Sequence, residues 1–286
     1  GQFRLRDLVN VCTGLDIPLD ELYDAIETLN YRGSDRRGEH SSLALELPSD
    51  LAPLFYLAGA FVGDGDLEGT ITADDPAMRA NVIDAAEALG LDPIVREFDE
   101  RATRVEVGGK TLQRLLGAAF DYPTADKSRS VEIADLVFTA DSEDTAAFVR
   151  GYLDADGTVE RSRSAVSVSS ASSTMLSDLQ RLLYQFDIAS KHNRTNDTLY
   201  ISGALSLEHF AEIGFGLPDK QARFEELREN AQSADVDRVP IDGDTLADIR
   251  ADLDVPQSAM PDAYDSYESD HVGLTKQSLG RIADRF

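Results

Sequence analysis

The sequence predicts an α+β protein built from two copies of one helix-and-strand unit, and three observations carry that expectation. Two segments, LAGAFVGDG at 57–65 and VRGYLDADG at 149–157, share an apolar, small-residue, Asp-Gly signature that places Asp64 and Asp156 92 residues apart. The order of helix-like and strand-like stretches after each signature is the same. Each copy then closes on a lysine, Lys127 at 63 residues from its aspartate and Lys220 at 64 from the other. A repeat this long, with matched element order, outweighs any single motif.

Taken in order, residues 1–50 read as two short helices (5–12 and 19–29), a turn at YRGSDRRGE and a β-like run at 43–47, a pattern that suits a winged-helix-like unit or a packing extension. An apolar stretch of helical length, 51–63, then stops at Asp-Gly, a helix end signal. It is followed by a β-like run (69–73), a helix (78–89), two β-like runs (94–98, 103–107), a helix (111–119) and YPTADK. The second copy runs through a helix (145–155), β-like residues (158–170), a helix (174–186), β-like residues (188–191, 198–202), a helix (205–213) and GFGLPDK. The tail after Ala231 holds twelve acids and five bases, with helices expected near 245–253 and 274–284. Its segment GLTKQSLGRIADRF superficially looks like a helix-turn-helix recognition segment, although so few basic residues favour a plain helical cap. The expected division is 1–50, 51–140, 141–232 and 233–286.

Small residues four apart, Gly59 with Gly63 and Gly151 with Ala155, lie on one face of each motif helix and would let two backbones approach closely. Spacing alone equally fits one core helix in each of two unrelated domains; the downstream repeat decides for a pair. A carboxylate at a helix C-terminus opposes the helix dipole, and two such groups brought together repel each other. A bound cation is the natural compensation. The lysines are informative because the chain has only five (110, 127, 191, 220 and 276) against 22 arginines. An ammonium beside a metal-bound carboxylate can orient water or stabilise a phosphate in the transition state.

Overall charge argues against a polyanionic partner, since 53 acids and 27 Lys plus Arg give a formal net charge of −26. Residues 158–203 are an exception, with five bases and four acids. The acid excess, scarce lysine and absent tryptophan resemble proteins of salt-in halophiles. In molar salt the Debye length falls to ~3 Å, so local contacts decide. At 286 residues and 42% hydrophobic, the chain can bury a sizeable core and divide into two or more domains. The apolar runs are too short and interrupted to span a bilayer, and the charged start GQFRLRDLVN shows no secretory signal. Cys12 is the lone cysteine, which rules out an intrachain disulfide or a cysteine-based metal site. The expected location is cytoplasmic and nucleoid-associated, as a monomer with no membrane partner.

The paired segments, with the lysines that follow them, resemble the LAGLIDADG homing endonucleases in their single-chain, two-motif form, over about 51–230. The resemblance implies two pseudo-symmetric αββαββα half-domains whose motif helices form their interface. It implies that the final motif aspartates, Asp64 and Asp156, bind a divalent metal (Mg²⁺ or Mn²⁺), that Gly63 and Ala155 can turn a backbone carbonyl to the metal region, and that Lys127 and Lys220 assist catalysis. The implied reaction is hydrolysis of one phosphodiester on each strand of a long double-stranded DNA target. The implied DNA-facing strands carry Arg96, Arg101 and Arg104 in the first half, and Arg161, Arg163, Lys191, His192, Arg194 and Asn196 in the second, with Ser167 and Ser169 beside them. The alternation RSRSAVSVSS suits a strand with one groove-facing side. Two departures stand out: Val62 replaces the inner aspartate that the second copy retains as Asp154, and Arg150 replaces a small residue.

Many two-motif members lie within inteins. Here Gly1, Phe286 and the internal pair His192-Asn193 do not supply splicing residues, while the segment DRVPIDGD resembles the join to a C-terminal splicing block. The expectation is the endonuclease portion of an archaeal intein, splicing-incompetent as given. Two other readings compete. LDADGTV at 153–159 and GDTLAD at 243–248 match haloacid-dehalogenase-type phosphatase motifs, with Asp154 as nucleophile and Asp156 as acid/base. A non-catalytic LAGLIDADG-type DNA-binding regulator is the third. An EF-hand is excluded by Val159 where the calcium loop needs glycine.

Overall fold

The computed structural model describes residues 5–15, 17, 25–29, 45–46, 48–98, 101–107, 110–231, 243–261, 264–269, 274, 276–283 and 285. The centre of the molecule is a pair of helices, α2 (Ala52–Asp64) and α7 (Ser142–Asp156). Pro53 begins α2 without losing a needed N–H, and Asp141 caps α7 by accepting from the Asp144 N–H at 2.9 Å. Both helices are apolar around most of their circumference because each is enclosed: Leu54 to Val62 are buried without a break in α2.

The small residues have the role their spacing suggests. A Cβ on Gly59 would stand 2.0 Å from the Phe148 carbonyl oxygen, and one on Gly151 would stand 2.1 Å from that of Tyr56. At the C-terminal end a Cβ on Gly63 would lie 2.4 Å from that of Ala155. The helices therefore touch main chain to main chain. The Asp-Gly stop is also present, but its glycines are not left-handed caps: Gly65 and Gly157 are extended at φ −79° and −75°. They are glycines for space, since a Cβ there would come within 2.6 Å of Phe61 or the Leu153 carbonyl.

Around this pair the first half places β3 (Thr70–Thr72), α3 (Pro76–Glu87), β4 (Ile94–Phe98), β5 (Arg101–Glu106) and α4 (Lys110–Ala119). Its antiparallel sheet has the order β3-β5-β4. Short helices α5 (Lys127–Ser130) and α6 (Asp135–Thr139) lead into α7. The second half adds β6 (Thr158–Glu160), β7 (Ala165–Ser169), α8 (Ser173–Tyr184), β8 (Ser190–Asn193), β9 (Thr198–Ser202), α9 (Ala204–Ile213) and α10 (Pro218–Glu229). Its antiparallel sheet runs β6-β7-β9-β8.

The second half is thus αββαββα, followed by α10, whereas the first departs from the expected pattern by having three strands. Where its fourth strand would lie there is only a bridge between Gly65 and Ile71. Asp66 is the reason. Its carboxylate accepts from the N–H groups of Glu68 and Thr70 at 2.9 Å, and its own N–H donates to the Thr70 carbonyl, so the chain reverses before a strand can form. In the second half a longer turn, 161–164, leaves room for β6.

One core serves both halves and includes Phe55, Phe61, Phe148, Leu153, Phe210 and Phe224. In the N-terminal region, α1 (Leu5–Gly14) forms as expected, but Thr28 and Leu29 at the end of the expected second helix form β1 (Thr28–Leu29), paired with β2 (Leu45–Glu46). Main-chain pairing with Leu45 and Glu46 wins there; the expected turn at 31–39 and most of the second helix lie outside the described residues. At the C-terminus α11 (Gly243–Asp252), α12 (Tyr264–Glu268) and α13 (Lys276–Ala283) enclose a separate cluster of Leu246, Tyr264, Leu274 and Ile282. Among the described residues no helix is long and apolar enough to cross a membrane.

Candidate active site

Asp64 and Asp156 are the last residues of α2 and α7, and the helix seam carries them to the same place. The Asp156 Cγ and Oδ2 lie 3.5 Å from the position a Cβ would take on Gly63, beside Asp64 in the chain. Burial pushes the Asp64 carboxyl above its usual range against the opposing pull of Lys127 and Lys220. Asp156 rises further, to about 6, through desolvation by the surrounding protein and then the charge of Asp64. Asp156 is exposed and Asp64 half-buried, so the pair is open to bulk water.

Both lysines reach this end of the helix pair. Lys127 donates to the carbonyls of Gly63 and, at 2.7 Å, Gly65; Lys220 donates to those of Asp154 at 2.7 Å and Leu153 at 3.1 Å. Each ammonium therefore satisfies carbonyls left open at a helix C-terminus and opposes the negative end of the dipole. Burial lowers the pKa of both, and the neighbouring aspartates oppose that shift. One expectation is corrected here: the Gly63 carbonyl faces the Lys127 ammonium, which competes with any metal for that oxygen.

Two solvent-reachable carboxylates form a hard oxygen donor set that fits a divalent cation such as Mg²⁺ or Mn²⁺. Among the described residues no group of three or more His, Cys, Asp or Glu is placed to hold a metal, which leaves these two acids as the candidate donors. Water and phosphate oxygens would have to complete the shell.

The expected DNA-facing residues divide by sheet face. Arg96 and Arg104 are directly opposed in register and both exposed, with Arg96 paired to Glu106 at 2.6 Å. In the second sheet, Ser167, Tyr200 and Lys191 are aligned across β7, β9 and β8 on the face away from the helices, with Ser169 two residues along β7. The Tyr200 hydroxyl accepts from Arg163 at 3.0 Å and Asn196 at 3.1 Å, and the Arg163 guanidinium lies 5.1 Å from its ring centre. Arg161 pairs with Glu226 at 2.6 Å, and Arg194 is exposed in the turn before β9. Only the backbone of Arg101 is described, opposite Phe98.

His192 is a correction. It pairs with Leu199, so strand alternation turns it to the helix-covered face, and its Nε2 is buried. Tyr200 was missed by sequence reading, although the position between Leu199 and Ile201 has the alternation of an outward residue. Glu106 and Glu160, which neutralise arginines on the two outward faces, carried no sequence signal.

The phosphatase reading fails on geometry. Asp154 is 2% exposed, with its carboxylate engaged by the Tyr56 hydroxyl and the Gly216 N–H, so it cannot attack a substrate. Both large sheets are antiparallel, and GDTLAD opens helix α11 within the separate C-terminal cluster.

The two motif helices thus form a seam that ends in paired aspartates and is flanked by antiparallel sheets. Residues 143–214 match the LAGLIDADG-like domain family. Among curated proteins it is 40% identical over 285 residues to elongation factor 2 of Methanopyrus kandleri, covering 99% of this chain and 22% of that protein. It is 32% identical over 225 residues to the probable translation initiation factor IF-2 of Thermococcus kodakarensis, covering 76% of this chain and 19% of that protein. The chain thus spans about a fifth of the length of these relatives. Among solved structures it is similar to the homing endonuclease I-DmoI in complex with DNA and Ca (16% identity, 61% of this chain, 97% of that chain, TM-score 0.44). It is also similar to full-length DUF199/WhiA from Thermatoga maritima (17% identity, 72% of this chain, 69% of that chain, TM-score 0.43).

Proposed function

We propose that this chain is a site-specific homing endonuclease that hydrolyses one phosphodiester on each strand of a long double-stranded DNA target, using Mg²⁺ or Mn²⁺. The observation that carries the reading is the convergence at one seam of Asp64 and Asp156 with Lys127 and Lys220, one pair from each repeat. A divalent cation bound between the aspartates would supply Lewis acidity and lower the pKa of water. The protein's own part is positional. Asp64 and Asp156 hold the reacting region against the helix ends, and their charge opposes the downward pull of burial on the Lys127 and Lys220 ammonium groups. The ammonium groups are then placed to neutralise negative charge that develops on a phosphate. The outward sheet residues Arg96, Arg104, Arg163, Lys191 and Tyr200 would carry the duplex. Arg161, Arg194 and Asn196 would approach it from the turns.

An intein origin draws support from relatives named as an elongation factor and an initiation factor, each matched over about a fifth of its length. A segment shared by host proteins of different function behaves as an insertion. A monomer acting on DNA in the cytoplasm of a salt-accumulating archaeon accommodates the formal charge of −26.

The test is cleavage of a plasmid library carrying candidate insertion sites, in molar KCl with Mg²⁺ or Mn²⁺. Double-strand cuts abolished by either Asp64→Asn or Asp156→Asn are expected. Specific binding without cleavage in any divalent metal would replace the enzyme by a DNA-binding regulator.

A further inference from the structure

The inner aspartate of the second copy belongs to a polar latch that the first copy lacks. The buried Asp154 carboxylate accepts from the Tyr56 hydroxyl at 2.8 Å and from the Gly216 N–H at 3.0 and 3.1 Å. Asn81 closes the cluster from the first half, donating to the Gly216 carbonyl at 3.1 Å and to the Tyr56 hydroxyl at 3.3 Å. Gly216 is needed for this fit, because a Cβ would stand 2.6 Å from Asp154 Oδ2 and 2.8 Å from Asn81 Nδ2. Four residues later comes Lys220, whose ammonium returns to the carbonyl of Asp154 itself. The strap that delivers Lys220 is therefore tied to both motif helices and to α3. Charge-assisted bonds in a buried network make such a tie stiff.

At the equivalent positions 92 residues earlier, Asp154 corresponds to Val62, and Tyr56 corresponds to Phe148 one repeat later; both are buried and apolar. Among the described residues, the segment that delivers Lys127 has no such polar tie. It is held by Lys127 itself, by the Tyr122 hydroxyl donating to the Asp66 carbonyl at 3.2 Å, and by edge-on packing of Phe120 on Phe55 and Tyr122 on Phe61, contacts that leave no buried carboxylate at its centre. It also passes through Asp121 and Asp126 at φ +50° and +45°, conformations that cost an L-residue about 1 kcal/mol or more.

We infer, resting on the endonuclease reading, that Tyr56, Asp154 and Gly216 preorganise the Lys220 half of the centre, while the Lys127 half is ordered by DNA, so that the strand served by Lys220 is cut first. Tyr56 and Asp154 are positioning residues, acting through the strap.

Amide hydrogen exchange on the free protein, without metal or DNA, tests the first part. Residues 214–217 should exchange at least about ten-fold more slowly than 124–127, and Tyr56→Phe should erase that difference. Equal protection of the two segments in the wild type overturns the inference whatever the nuclease does. Cleavage of a duplex labelled on each strand tests the second part. One nicked intermediate should accumulate, and Tyr56→Phe should slow that nick about ten-fold while leaving the other strand's rate unchanged. Random nick order, or equal slowing of both strands, overturns it. Strap protection in a protein that never cuts would count against the endonuclease reading and would uphold the preorganised strap.

Discussion

Replacing Gly151 by alanine tests the seam directly. The added Cβ would lie 2.1 Å from the Tyr56 carbonyl oxygen, 3.0 Å from its carbon and 3.1 Å from the Ala60 nitrogen, all main-chain atoms that no rotamer change can remove. Ordinary van der Waals contact begins at 3.4 Å, so α2 and α7 must part by about 1.3 Å at that level. Overpacking a core costs about 1–3 kcal/mol even where side chains can yield, and Gly→Ala in a helix returns about 1 kcal/mol. The expected net loss is about 2 kcal/mol or more. Gly117→Ala in α4 is the matched control. Its Cβ meets only the Tyr122 carbonyl at 3.8 Å, so the same chemical change should stabilise by about 0.5–1 kcal/mol. Urea denaturation in molar KCl reads both. Adding Gly59→Ala to Gly151→Ala should cost less than the sum of the singles, because one separation relieves both clashes. A Gly151→Ala protein as stable as the wild type would refute main-chain contact at the seam.

Three further outcomes are expected. Asp156 has its folded pKa raised to about 6 from an ordinary value of 3.8. The native state therefore binds more protons than the unfolded chain in that interval, and metal-free stability should fall as pH rises from 4 through 6. Mg²⁺ should flatten this slope, and Asp156→Asn should remove part of it, as followed by thermal melts across pH. Asp144, pushed to about 6 by burial and by Asp141, Asp50 and Glu143, adds to the same trend, so Asp144→Asn should raise Tm at pH 8. In DNA binding, Lys191→Ala should weaken affinity and reduce the salt slope by about 0.9, whereas His192→Ala should leave both unchanged. An equal loss in both variants would place His192 on the outward face after all.

What could be read from sequence was what repeats. The motif helices, the order of elements and the Lys127 and Lys220 pair were all visible because two copies could be laid against each other. The missing strand of the first half was not, since 63 and 64 residues give the copies nearly equal length while Asp66 spends its residues on a turn. His192 was misplaced because the expected strand ended at Lys191, whereas β8 continues to Asn193 and alternation turns His192 to the face opposite Lys191. The latch is a long-range polar contact among Tyr56, Asn81, Asp154 and Gly216, and no local pattern encodes it. Only the mismatch of Val62 with Asp154 hinted that the halves differ.

The main-chain contacts of Gly59 with Phe148 and of Gly151 with Tyr56, closed by Gly63 against the Ala155 side chain, also act as a ruler. The offset between the two acids is set by how closely two helical backbones can approach, and not by any loop or exchangeable side chain. For a two-strand cut made at this seam, the stagger between nicks is thereby built into the backbone. On the endonuclease reading proposed above, the sheets could diverge to read new targets while the register of the cut stayed constant.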